Sequence, residues 1–404
     1  MTLQFLAPID PVSPWPALAV LLVAFASVAL LVRIVGTPNG QGRFTTIDGL
    51  RGYLAFCVFL HHAVVWFFYL KTNRWELPPS GLYIHLGQTG VAFFFMITGF
   101  LFLTKLIDGR DKGIDWLRLY VSRILRLTPI YLVLMFLVFL TVACLSKGEL
   151  MQPFDQLMLA LLSWFGFTIA GTPDLNGLAN TVLIVAGVTW SLVYEWFFYF
   201  SLPVFALILR APTPLIWMLI SVAGMTGIAL KQPTLPFSLY FFGGMAAAVL
   251  VRNQAFCRHA SSGIASLIAI SCIVCTVAYF PSAYGKPQRL MLSTAFIIIA
   301  AGNSLFRVLN HGVSRLFGEM AYGIYLLHGI MLFVLFQFII GISAARSLSA
   351  LNHWLIVMAS TPILVGILFL AFKFIEHPAM KYTGSVTAWV RSLGSDRRVA
   401  GRKE

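Results

Sequence analysis

The chain has 404 residues, 59% of them hydrophobic and only 10% charged, with a mean hydropathy of +0.87. That is too apolar for a water-soluble globule and matches a bundle of membrane-spanning helices, all-α and polytopic. The formal charge of +14 is what basic loops against anionic lipid produce, so the bilayer is the expected partner and nucleic acid is not.

No Lys or Arg occurs in the first fifteen residues, so the apolar stretch from about 16 to 35 lacks the basic start of a cleavable signal peptide. It reads as a retained helix, and Arg33 and Arg43 after it place its C-terminal end in the cytoplasm. Further apolar runs follow near 50–70, 90–107, 129–147, 187–209, 214–230, 236–251, 263–280, 290–308, 320–341 and 354–374, making about eleven crossings. The stretch 157–170 is shorter and borders Gly171-Thr-Pro-Asp-Leu-Asn-Gly177, which suits a re-entrant or interfacial segment.

With that count, 21 of the 28 Lys and Arg fall on one side, which puts the N-terminus outside and the C-terminus in the cytoplasm. The expected organisation is an N-terminal extracytoplasmic segment and added helix (1–43), a membrane domain (44–381) and a basic tail (382–404), disordered or lying on headgroups. No internal repeat is visible, which disfavours a repeat-built transporter. Cys57, Cys144, Cys257, Cys272 and Cys275 lie in or beside apolar runs, as packing residues rather than an exported disulfide framework or a metal site.

Charge inside an apolar run is expensive, so each such residue is a functional candidate. Arg51 and His62 are eleven residues apart, which returns them to nearly the same helical face about 16 Å apart along the axis. Asp48, three residues before Arg51, can fix its guanidinium. His62 is placed to act as a base deep in a cavity with Arg51 at its mouth, while His61 is turned away. Taken singly, a satisfied His and a snorkelling Arg would look the same.

The segment from Lys105 to Thr128 reads as a basic loop in which Arg123 and Arg126 lie on a helix, just below the membrane. On it Arg123 and Arg126 share a face and can grip phosphate oxygens, although ordinary positive-inside charge gives the same pattern. Ser191, Glu195 and Tyr199, at i, i+4 and i+8, form one polar stripe on the apolar helix that opens at Trp190, and this stripe is expected to face the same cavity as His62. Tyr322, Tyr325 and His328 follow at three-residue steps, a spacing that plain aromatic packing explains equally well.

Taken together these segments resemble the acyltransferase-3 family, integral membrane proteins that O-acylate carbohydrates and related acceptors. The resemblance rests on Ile47-Asp-Gly-Leu-Arg51 with His62; Gly90-Val-Ala-Phe-Phe-Phe-Met-Ile-Thr-Gly-Phe100; Arg123-Ile-Leu-Arg126 with Pro129 and Tyr131; Trp190-Ser-Leu with Glu195 and Tyr199; Tyr322-Gly-Ile-Tyr-Leu-Leu-His328; and Glu376-His-Pro378. It runs in order from about 44 to 381, with Thr98 where the family usually has Ser and without the esterase-like domain of the fused members. It implies a ten-helix domain, here with one added helix, in a bacterial inner membrane. Arg51 and His62 would take the essential roles, and Arg123 and Arg126 those of the cytoplasmic R-x-x-R.

The expected function is transfer of an acyl group, acetyl by resemblance, from cytoplasmic acyl-CoA to a hydroxyl of a carbohydrate or glycolipid, with no bound cofactor or metal. His62, Arg51 and Glu195 are the candidate catalytic residues, and Arg123 and Arg126 would bind acyl-CoA. Asp48, Trp190, Ser191, Tyr199, Tyr325 and His328 would support them. The rival expectation is a proton-coupled transporter or flippase using the same His and Glu.

Overall fold

The computed structural model describes residues 10–37, 44–232 and 235–400, with side chains as far as 393. Parts of the expected segment 1–43 (1–9 and 38–43, Arg43 included) and the last four residues of the basic tail lie outside the described residues.

Every apolar run becomes helix, and the described residues contain no strand. The chain begins with α1 (Pro14–Val35), α2 (Thr45–Thr72), α3 (Gly81–Gly109) and α4 (Trp116–Leu145). It continues through α5 (Phe154–Phe165), α6 (Trp190–Ile208), α7 (Leu215–Lys231), α8 (Leu239–Leu250), α9 (Gln254–Ala260), α10 (Gly263–Tyr279) and α11 (Lys286–Ala300). The last third holds α12 (Gly312–Glu319), α13 (Ala321–Val334), α14 (Ile342–Ser347), α15 (Ala350–Ala371), α16 (His377–Lys381) and α17 (Thr383–Ala400).

Among the described residues, seven helices are long and apolar enough to cross a membrane, counting α13 through Ile339 and α15 through Lys381, and α9 with α10, bent by 73°, would make an eighth. The eleven expected crossings therefore do not all qualify by length. The 17 residues of α7, 12 of α8 and 15 of α11 fall short of the roughly 30 Å of hydrocarbon at about 1.5 Å per residue. α5, also of 12 residues, is in keeping with a segment that does not span.

Helices α2 and α3 form the centre. α2 packs on α3, α12 and α13, and α3 packs on α2 and α8, while α1 joins from outside against α12 and α15. In hydrocarbon such contacts depend on close approach rather than on expulsion of water, which favours small residues where helices cross. Gly244 is the clearest case, since a Cβ there would collide with the Met96 carbonyl oxygen of α3.

Between α5 and α6 the backbone is irregular, with left-handed residues at Phe167, Thr168, Asn176, Asn180 and Ala186. Its inner part is buried: Thr181, Val185 and Thr189 are at most 2% exposed. Non-helical backbone at membrane depth is tolerated where protein encloses it. Here α13 does so at Gly329, where any Cβ would strike the Val185 backbone.

The tail is not disordered over its described length. Residues 372–376 continue α15 as a π-helical turn, and α16 and α17 follow. Arg391 of α17 reaches Asp115 Oδ2 at 2.6 Å, while Asp115 Oδ1 caps α4 by accepting from the Arg118 N–H at 3.1 Å. Burial pushes the Asp115 carboxyl up, but the donors Arg391 and Arg118 outweigh it and hold the group below the ordinary carboxylate value.

Gly244→Ala is expected to destabilise the bundle by about 1–3 kcal/mol through this overpacking, lowering the melting temperature in detergent. Gly366→Ala on α15, with nothing within 4 Å of a Cβ, should leave it unchanged.

Candidate active site

Five helices bring the sequence candidates around one cavity of about 760 Å³ of empty space. α2 contributes Arg51; α3 contributes Phe94, Thr98 and Phe102; α4 contributes Arg123 and Arg126; α6 contributes Ser191, Glu195 and Tyr199; α13 contributes Tyr322 and Tyr325. Arg51 Nη1 donates to Asp48 Oδ1 at 3.0 Å, the pairing expected from their three-residue spacing. The helix expected to carry the arginine pair is continuous with the apolar run that follows it. α4 runs unbroken for 30 residues from its cap at Asp115, with Pro129 inside it, and carries both arginines into the bundle.

The stripe on α6 closes on itself. Tyr199 Oη donates to Glu195 Oε2 at 3.0 Å, and Thr98 Oγ1 donates to Glu195 Oε1 at 3.5 Å. Arg123 and Arg126 line the same cavity as this carboxylate. The Arg123 guanidinium lies 5.1 Å from the centre of the Phe102 ring, and its Nε, buried, makes no hydrogen bond. Tyr325 Oη is 2.8 Å from Ser191 Oγ, and Tyr322 Oη donates to the Leu127 carbonyl at 2.9 Å. Three guanidiniums thus face one carboxylate of Glu195 and one of Asp48. A phosphate or carboxylate group would meet forked donors already in place.

His62 is elsewhere. Among the described residues it does not line this cavity, so the expectation of a single cavity shared by His62 and Glu195 is corrected. One turn beyond Tyr325, His328 takes His62 as its partner, with Nδ1 of His62 2.9 Å from Nε2 of His328 and ring centres 5.0 Å apart. The two clusters meet at Tyr325, which lines the cavity and whose ring centre is 6.3 Å from that of His328. The correction has a simple cause. Eleven residues return Arg51 and His62 to one face but separate them by about 16 Å, and different neighbours occupy the two levels.

The hydrogen bonds assign the protons. His328 Nδ1 is 2.8 Å from the Ile324 carbonyl, which only an N–H can satisfy, so in neutral His328 the other nitrogen accepts. His62 Nδ1 must then donate to it, leaving His62 Nε2 as the unprotonated nitrogen of a neutral imidazole. That is the form a general base requires. His61 is engaged differently: its Nδ1 is 2.8 Å from the Tyr83 carbonyl of α3, in the packed interior.

Trp190 does not reach the cavity but packs against Phe95, Tyr194 and Phe237. The sequence reading missed Trp75, which stacks on His62 with ring centres 6.2 Å apart and planes within 15°. A lone tryptophan in the polar Asn-Arg-Trp-Glu turn after α2 was the available signal. Among the described residues, no three His, Cys, Asp or Glu gather to hold a metal ion.

The fold and site define a polytopic membrane protein with an arginine-lined internal cavity abutting a histidine pair. A family model described as an acyltransferase domain matches residues 44–373, so the chain belongs to this acyltransferase family. It is accordingly an acyltransferase, and the transporter alternative gives way. Neither the curated proteins nor the solved structures yield a match to this chain.

Two outcomes are expected from this geometry. Glu195→Gln should lower activity with little change in melting temperature. Glu195→Leu should lower both, because the arginines then lose their carboxylate and Tyr199 its acceptor. His61→Ala should cost stability by removing its link to α3, while His62→Ala should spare folding and cost activity, as activity and melting curves at matched protein levels will show.

Proposed function

We propose that the protein transfers an acyl group from cytoplasmic acyl-CoA to a hydroxyl of a carbohydrate or glycolipid in a bacterial inner membrane. The supporting observation is the adjacency of the two clusters, an anion-compatible cavity ringed by three arginines and a neutral imidazole beyond Tyr325. The guanidiniums of Arg123 and Arg126 hold the CoA phosphates at the cytoplasmic end, where the basic α3–α4 turn also lies. The thin pantetheine arm follows the cavity past Arg51 and Tyr325 toward His62.

His62 Nε2 takes the proton of the acceptor hydroxyl, and the oxygen attacks the thioester carbonyl. As the C–S bond breaks, an ester forms and the departing thiolate recovers the proton as free CoA. His328 fixes the tautomer and plane of His62, the orienting role that the third group plays in other base-assisted transfers. Glu195 holds Arg123 and Arg126 in place. The apolar bundle excludes water that would otherwise hydrolyse the thioester. In this reading the N-terminus is outside and the C-terminal helix cytoplasmic.

The test is acceptor-dependent release of free CoA by the purified protein supplied with acyl-CoA and membrane glycan. Release should fall by about 10²–10⁴ in His62→Ala. Replacing both Arg123 and Arg126 with Gln should instead raise KM for acyl-CoA by about tenfold or more, with Lys restoring only part. No CoA release with any membrane glycan would end the reading, and a double Gln variant with unaltered acyl-CoA binding would remove the arginines from it.

A further inference from the structure

A second large space lies on the other side of the histidine pair. It is an open crevice of about 780 Å³ between α4, α13 with its π-helical extension Leu335–Ile339, and α15, with Phe59 of α2 at its base. Its lining is almost wholly hydrocarbon, and its hydroxyls are already spent: Thr141 donates to the Leu137 carbonyl at 2.7 Å and Ser360 to the Val357 carbonyl at 2.9 Å. Nothing in it calls for water or a headgroup, and its lining suits a hydrocarbon chain.

The crevice is also placed with respect to the chemistry. Its floor is buried, with Phe59 1% and Leu327 3% exposed, while Ile363 and Ile339 at its mouth are 65% and 70% exposed. The Phe59 ring lies edge-on to His328 with centres 6.4 Å apart, and Leu327 is the residue before His328. From Leu327 to Ile339 the space follows α13 for about 18 Å, away from the arginines. Along α13 the order is therefore arginine cavity, histidine pair, hydrocarbon crevice.

We propose that the crevice receives the acyl chain of the donor, so that the group transferred is a chain of several carbons rather than the acetyl group the family resemblance implies. This rests on the acyl-CoA reading given above. With the phosphates on Arg123 and Arg126 and the thioester at His62, the crevice starts on the far side of His328, across the Phe59 ring and Leu327. The π-helical turn, a device that widens a helix locally, forms its outer wall.

The test is displacement of radiolabelled acetyl-CoA from the full chain in nanodiscs by unlabelled acetyl-, hexanoyl- and octanoyl-CoA, with empty nanodiscs subtracted. Octanoyl-CoA should compete at least about tenfold better than acetyl-CoA, because each buried methylene adds hydrophobic stabilisation. Met331→Trp, which fills the crevice, should abolish that gain while leaving acetyl-CoA binding unchanged. Ile363→Trp at the exposed mouth, where folding is not at risk, should reduce it. Equal competition by all chain lengths, or a gain that survives both substitutions, would overturn the inference while leaving acyl-CoA as donor. Failure of every acyl-CoA to bind would overturn both. A crevice variant that changes only the KM for membrane glycan would assign the space to a lipid-linked acceptor instead, against this proposal.

Discussion

A guanidinium in hydrocarbon costs several kcal/mol unless water or an opposite charge accompanies it, and three of them cannot be placed together without both. Arg51, Arg123 and Arg126 meet that constraint by sharing a cavity with Glu195, while Asp48 holds Arg51 from its own helix. The requirement explains why helices far apart in sequence converge: α2, α4 and α6 each bring a charge that none could bury alone. Thr98, Tyr199 and the Phe102 ring complete the shell around the carboxylate and Arg123.

The histidine pair is the polar exception on the other side of Tyr325. An imidazole next to an imidazole is stable in an apolar bundle when one proton lies between them, since both rings then stay neutral. The Ile324 carbonyl sets the direction of that bond, and Trp75 packs on His62 while Phe59 packs on His328. The arrangement sets the arginine cluster and the histidine pair apart, with Tyr325 between them.

How much of this was legible in the residues follows from which interactions are local. The pairing of Asp48 with Arg51 and the polar stripe of Ser191, Glu195 and Tyr199 are i, i+3 and i, i+4 relations, fixed as soon as the helix is assumed. The apolar runs themselves were legible for the same reason, because spanning helices satisfy their own backbone. The contact of His62 with His328 spans 266 residues, and nothing in either local pattern could predict it. Helical ends were less legible than helical existence: α4 begins well before the apolar run that announced it because Asp115 caps it there. Of the two expectations for the tail, disordered or lying on headgroups, the helix α17 removes the first over its described length.

The irregular segment before α6 has a mechanical consequence. At Gly329 the main chain of α13 lies directly on the main chain at Val185, so advancing α13 by a single residue would bring a side chain into a gap that admits none. Tyr325 also reaches the Val188 carbonyl at 3.2 Å, a second fastening one turn away. Together they act as a keyway, locking the helix that carries Tyr322, Tyr325 and His328 against both rotation and sliding. His328, and through it His62, is therefore held on a stationary part of the bundle.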